Sequence, residues 1–298
     1  MIFLELFFML LVILVSAEIF TNALEHLGEK LKISEGVTGS IFAAIGTALP
    51  ETLVPLLALL SSHGDAKTNH DVGVGAILGA PLMLSTLTMF IMAISVIGHR
   101  GLGGHLKPEK TGLIRDLDFF IFSFIFAGIA LFIPHTSELA RGLIAFLMVF
   151  SYFIYILMTI RASKKLVSEG HSTEASNPMF MERIGLPNNY LIISIQLLIG
   201  LALLIFGAKG FISGIEETSS ILGISALILS MLIIPIATEL PEKVNSIFWI
   251  RKGKDTLAFG NITGAMVFQG TLLPAIGILL TPWEPRKEVY LCIFITLL

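Results

Sequence analysis

The sequence predicts an all-α polytopic membrane protein: two inverted-topology repeats of about five transmembrane helices each, the second incomplete. Composition is the first reason. Apolar residues make up 55% of the 298-residue chain and charged ones only 14%, with a mean hydropathy of +0.88, far from the balance of a soluble domain. Second, the apolar residues gather into runs long enough to cross a bilayer, which takes about 20 residues per helix. Third, one short motif occurs twice, in helices that enter the membrane from opposite faces.

The runs fall at 2–24, 36–62, 72–98, 117–134, 138–160, 189–211, 221–250, 256–281 and from 288 onward. In the first, MIFLELFFMLLVILVSAEIF, Glu5 stands where a cleavable leader is basic, and no small-x-small cleavage pattern follows. It reads as a helix rather than a signal peptide. The last run, from Glu288, is about half a span, so the chain is expected to stop partway through its ninth helix. Basic residues cluster in alternate connections: Lys30 and Lys32; Arg100, Lys107, Lys110 and Arg115; Arg161, Lys164, Lys165 and Arg183; Arg251, Lys252 and Lys254. The remaining connections hold only Lys67, Arg141, Lys209, Arg286 and Lys287. The positive-inside rule puts the first set in the cytoplasm and the N-terminus outside. The polar stretch 161–188 is then a cytoplasmic linker between a first repeat, 1–160, and a second, 189–298.

The repeat is carried by AIGTALPET in the second helix and PIATELPEK in the seventh. Thr47, Leu49, Pro50 and Glu51 match Thr238, Leu240, Pro241 and Glu242 at one constant offset, which also sets Glu18 opposite Lys209. A glycine-rich helix follows each copy, with Gly75 and Gly79 answering Gly260 and Gly264. The seventh helix is five steps on from the second, an odd number, so the two motifs run in opposite directions, and a binding site is expected near the midplane where broken helices meet. Proline lacks the N–H that a helix needs, so Pro50 and Pro241 should free the carbonyls of Gly46 and Ala237 and break their helices. Carbonyls freed at membrane depth must face a cavity or an ion. With Glu51 and Glu242 one residue beyond the prolines, two carboxylates would balance a divalent ion; six to eight oxygens at roughly 2.3–2.6 Å are what calcium prefers.

The paired GTALPE and ATELPE helices, each followed by a glycine-rich helix, resemble the α-repeats of the cation/calcium exchanger superfamily, and the Na+/Ca2+ exchanger family in particular. The resemblance covers most of the chain and implies alternating-access antiport. It makes Glu51 and Glu242 the central metal ligands, Thr47 and Thr238 further cation-binding residues, and Ala44 and Pro235 carbonyl donors. Where the family has Ser after the motif Thr, this chain has Ala48 and Glu239. Where it has Gly-Asn-x-x-Gly-Ser, the chain has Ala76 and Ala80, then Asn261 and Ala265. An acidic or amide position beyond becomes Leu84 and Gln269. Calcium exchanged against sodium is the implied function, with proton-coupled exchange as the alternative. Glu239, Lys243, Asn261 and Gln269 are candidates for an additional ion path. Glu239 and Lys243 are spaced to lie on one helix face, so a local salt bridge is the competing role.

Other classes fit less well. Neither G-x-S-x-G nor H-E-x-x-H is present, which leaves a membrane-embedded enzyme without its parts. An inverted repeat favours alternating access over an open channel. A formal charge of −3 gives no nucleic-acid footprint, and the single Cys292 permits no intrachain disulfide. The expected partners are the lipid bilayer and small cations, with no resident cofactor; Ca2+ and Na+ or H+ are substrates. Glu18 and Lys209 are expected to make a structural or gating charge contact. His63, Asp65, His70 and Asp71 are expected to form a solvated outer loop.

Overall fold

The computed structural model describes residues 2–30, 44–61, 65–167, 178–251, 253 and 255–298; of the side chains, those of residues 28, 44–49, 162–167, 237, 241, 245 and 257 are also outside the described set. Among the described residues every regular element is helical. They run α1 (Ile2–Lys30), α2 (Ala44–Leu60), α3 (Ala66–Met83), a π-helical turn (Leu84–Thr88), α4 (Met89–Arg100), α5 (Lys110–Ala130) and α6 (Glu138–Val167). Then follow α7 (Phe180–Arg183), α8 (Tyr190–Leu222), α9 (Ala226–Thr238), α10 (Leu240–Arg251), α11 (Asp255–Leu280) and α12 (Lys287–Leu297). Five helical spans among the described residues are long and apolar enough to cross a membrane: Ile2–Leu27, Ala66–Arg100, Glu138–Arg161, Tyr190–Leu222 and Ala258–Leu280. The chain is a multi-pass membrane protein, and its helices lie close to where the apolar runs put them.

The helices form two compact units, and each unit draws on both sequence repeats. The first comprises residues 1–57 and 156–218, the second 58–155 and 219–298. In the first unit α1 and α8 pack antiparallel: Gly200 lies against Phe20, Gly207 against Ile13 and Gly214 against Leu6. A buried amide clamp fixes their register. Gln196 donates to the Ile19 carbonyl and to Asn22 Oδ1, both at 3.0 Å. Gln196 Oε1 accepts the Met181 N–H, and Asn22 Oδ1 that of Phe180. The end of the linker is therefore docked: Met179 is buried with Ala23 and Ile193. The polar composition of 161–188 concealed both this docking and the continuation of α6 to Val167. Glu18 and Lys209, expected to touch, are both exposed and form no ion pair with each other.

In the second unit α9 lies along α3, α11 along α5, and α10 against α4 and α11. Polar ties close both ends. At the α4 end, Arg100 holds Asp255 bidentately at 2.8 and 2.5 Å, while the Lys107 N–H also donates to Asp255 at 2.8 Å. At the α3 end, Arg286 pairs with Asp71 at 2.6 Å, and Arg141 donates to the carbonyls of Ile278, Thr281 and Pro282. Arg141 thus serves the orphan carbonyls at the C-terminus of α11. Connections of like parity meet at the same end, as the alternation of helices demands.

The expectation of a solvated loop at 63–71 needs correction. His63 lies outside the described residues. Asp65 caps α3 by accepting the Thr68 N–H at 3.1 Å, and Asp71 is buried within α3 as the partner of Arg286. Its partner is a lone arginine six connections further along the chain, which hydropathy does not pair with anything.

The Arg100–Asp255 tie gives a pH expectation. The charged hydrogen bonds from Arg100, followed by the Lys107 amide, hold the Asp255 carboxyl below the usual range. A depressed folded-state pKa contributes stability above the ordinary carboxylate pKa, and that stability is lost as pH falls through the depressed value. Asp255→Asn should therefore lower the thermal midpoint near pH 7, and its deficit relative to wild type should close on acidification below about pH 4. Melting curves in detergent across that range check it.

Candidate functional site

The second motif sits at the one interruption between α9 and α10. α9 ends at Thr238, Glu239 is a turn, and α10 begins at Leu240. Pro241 is then in the first turn of α10, where a missing N–H costs nothing. The break is one residue wide, because the Glu239 N–H still reaches the Pro235 carbonyl and the Lys243 N–H that of Glu239, both at 3.2 Å. Glu242 falls in the first turn of α10, where the positive end of the helix dipole favours an anion.

The surrounding side chains are almost wholly enclosed. Relative exposure is 0% for Glu239, 2% for Thr238, and 4% for both Glu242 and Lys243. Lys243 Nζ lies 3.4 Å from Glu239 Oε2 and donates to the Pro235 carbonyl at 3.3 Å. Glu239 and Lys243 thus form the local pair that their spacing allows. Gln269, buried on α11, is beside Glu239. Asn261 is engaged in packing: its amide donates to the Glu242 carbonyl and to Ser246 Oγ, both at 3.2 Å. Ser246 in turn donates to the Ala258 carbonyl. These bonds tie α10 to α11 directly behind the motif carboxylate.

The first motif lies in the other unit. Glu51, also 4% exposed, is in α2. Pro50 and Pro55 both sit inside that helix, which runs unbroken from Ala44 to Leu60. The expected break at Pro50 is thus corrected: one missing N–H removes a single bond, and neighbouring turns carry the helix through. The side chains of Ala44, Thr47 and Pro241 lie outside the described residues.

One buried acid escaped the sequence reading. Asp116 is buried at the start of α5, taking the Thr263 hydroxyl at 2.7 Å and Arg115 at 2.9 Å. Ser246, one turn beyond Glu242, was missed as well. The available signal was Asp116 following Arg115 just before a hydrophobic run; Ser246 carried none without knowing which face α10 buries. Among the described residues no three of His, Cys, Asp and Glu converge as a metal cluster, so a hard cation would need carbonyl, hydroxyl or amide oxygens besides carboxylates.

The four glycines have unequal surroundings. A Cβ on Gly75 would stand 2.5 Å from the Leu227 carbonyl oxygen, and one on Gly79 would stand 2.1 Å from that of Met231. Gly264 has only the Tyr155 hydroxyl at 3.5 Å, and Gly260 nothing within 4 Å. Close helix packing therefore explains the first pair and not the second.

Comparison with known proteins agrees with the architecture. The chain is 26% identical over 281 residues to the inner membrane protein YrbG of Escherichia coli K12, spanning 94% of this chain and 80% of the relative. Its fold is similar to that of the H+/Ca2+ exchanger CAX, with a TM-score of 0.73 at 19% identity, over 99% of this chain and 73% of the other. It is also similar to that of the sodium-calcium exchanger NCX_Mj, with a TM-score of 0.54 at 18% identity, over 100% and 90%. Residues 1–161 and 192–298 match the family described as sodium/calcium exchanger protein, and the chain belongs to that family.

Proposed function

We propose that the protein is a secondary active cation antiporter that exchanges calcium against sodium by alternating access, with Glu51 and Glu242 supplying the charges that balance the divalent ion. The observation that carries this reading is Glu242: an enclosed carboxylate in the first turn after a helix interruption, in a motif that the chain repeats around the enclosed Glu51. Intramembrane acids are costly to keep and mark ion pathways. Thr47 and Thr238, with the carbonyls of Ala44 and Pro235, are the oxygens proposed to complete the coordination. The parity of basic residues supports an N-terminus outside and a cytoplasmic linker.

A second reading, proton-coupled exchange, is favoured by a specific observation. Ala76, Ala80 and Leu84, at positions where the family carries polar oxygens, are buried apolar residues on α3 and its π-helical turn. They cannot coordinate sodium through their side chains. Radioactive calcium uptake into proteoliposomes under an outward sodium gradient, compared with an outward proton gradient, separates the readings. Sodium-driven uptake is expected; uptake driven only by protons would replace sodium with the second reading. No uptake under either gradient would sink both.

A further inference from the structure

Next to Glu242 stands a positive charge for which calcium binding has no use. We propose that the Lys243 ammonium is a resident cation of the ion pathway, held on the Pro235 carbonyl and the Glu239 carboxylate where a small monovalent cation would otherwise bind. The proposal rests on the reading that this motif handles cations, and it adds a fixed charge to that reading.

The oxygens are of the right kind. Lys243 Nζ approaches one backbone carbonyl at 3.3 Å and one carboxylate oxygen at 3.4 Å. The Gln269 side chain lies beside Glu239 as well, and its Oε1 is buried without a donor. A carboxylate and a backbone carbonyl around one unit of positive charge are ligands that a hard cation takes. An ammonium on a flexible four-carbon stem is a compact point charge of the same sign and size class. The i,i+4 spacing makes its delivery automatic, since the Lys243 N–H to Glu239 carbonyl bond keeps that turn helical across the break.

Charge arithmetic gives the ammonium its role. Glu239 has been added beside Glu242 at full burial, and an unpaired buried carboxylate carries a large desolvation cost. Lys243 cancels that added charge and, by seating on the Pro235 carbonyl, takes that oxygen from the set proposed above for calcium. The two motif glutamates are then left to match a divalent ion, and one fewer mobile cation has to enter in each cycle. An ordinary structural salt bridge would contribute packing only and be indifferent to which small cations are in solution.

Lys243→Ala, purified in detergent without calcium, is to be melted in N-methyl-D-glucamine chloride and in sodium, potassium or methylammonium chloride. Its midpoint is expected several degrees below wild type in the bulky cation and restored toward wild type by at least one small cation, while methylammonium leaves the wild-type midpoint in place. No deficit, or a deficit that no small cation repairs, overturns the proposal. Should Lys243→Ala fail to fold, Glu239→Gln tests it independently. An ammonium without its carboxylate opposes a divalent ion, so the calcium-induced rise in midpoint should need roughly tenfold more calcium, equivalent to about 1.4 kcal/mol, and E239Q/K243M should recover most of that shift. Unchanged calcium dependence in Glu239→Gln overturns the proposal. Failure of the parent reading looks different: wild-type protein would ignore calcium while Lys243→Ala still answers to small cations.

Discussion

Glu242→Gln should abolish calcium exchange, and Glu51→Gln should do the same, while both proteins remain folded. Gln keeps the volume and one carbonyl oxygen but removes a full negative charge from a position almost closed to solvent. Inside a protein that charge is worth far more than at a surface, because little water screens it. A hydrogen bond or ligand contact to an ionised group contributes about 1.5–3 kcal/mol, so losing the charge should weaken calcium binding roughly tenfold to a hundredfold. Flux should fall at least as far, since a singly charged site leaves a divalent ion uncompensated in the occluded state. Glu242→Asp, which retains charge but shortens the reach, should keep measurable exchange. Calcium counterflow in proteoliposomes reads all three, with size-exclusion profiles to confirm folding. Full exchange in either Gln variant would remove that glutamate from the cation pathway.

Ser246→Ala provides a useful contrast. Its hydroxyl receives Asn261 and donates to the Ala258 carbonyl, which makes it part of the α10–α11 tie rather than a ligand. About 1 kcal/mol of stability should be lost with it, and exchange should persist in the folded fraction. A loss of exchange as deep as that of Glu242→Gln would move Ser246 into the ion path.

Much of this architecture was legible because bilayers impose simple rules. Run length gave the spans, and the repeated Pro-Glu motif marked two enclosed glutamates in advance. Alternating basic connections are matched by ties at like ends: Arg100 with Asp255 at one, Arg286 with Asp71 at the other. What hydropathy cannot express is choice of partner. Arg141 reads as a stray charge in a connection, yet it caps the carbonyl end of α11. Asn22 and Gln196 read as isolated polar residues within apolar runs, yet they clamp α1, α8 and the linker together. The two prolines looked equivalent and were not. Pro241 begins a helix, where its geometry is preferred, whereas Pro50 lies within one and costs a single bond. The repeat boundary was equally misleading about compactness, since each compact unit takes segments from both repeats.

The largest expected loss of folded protein comes from Gly79→Ala. Along α3, Gly75 and Gly79 occupy successive turns facing α9, and the backbone of α9 lies directly over them. An added methyl at position 79 would meet the Met231 carbonyl oxygen at 2.1 Å and its carbonyl carbon at 2.7 Å. Side chains can rotate away from such a clash, but a helix backbone can only move as a unit. Separating α3 from α9 would also disturb Ser230, whose hydroxyl reaches the Asp71 carbonyl at 3.3 Å across the same contact. Overpacking of this kind costs typically about 1–3 kcal/mol and occasionally more, and the rigid obstacle places Gly79→Ala at or above the upper end. Gly75→Ala should follow closely, because one of its clashes is with the Leu227 carbonyl oxygen at 2.5 Å. Gly260→Ala should behave oppositely. It has nothing within 4 Å, and replacing glycine inside a helix favours folding by up to about 1 kcal/mol. Thermal midpoints and monodisperse yield of the three variants in detergent check the ordering. A Gly79→Ala protein as stable as wild type would mean that α3 and α9 do not approach as closely as the structure has them, and a destabilised Gly260→Ala would mean that the second glycine pair is packed after all.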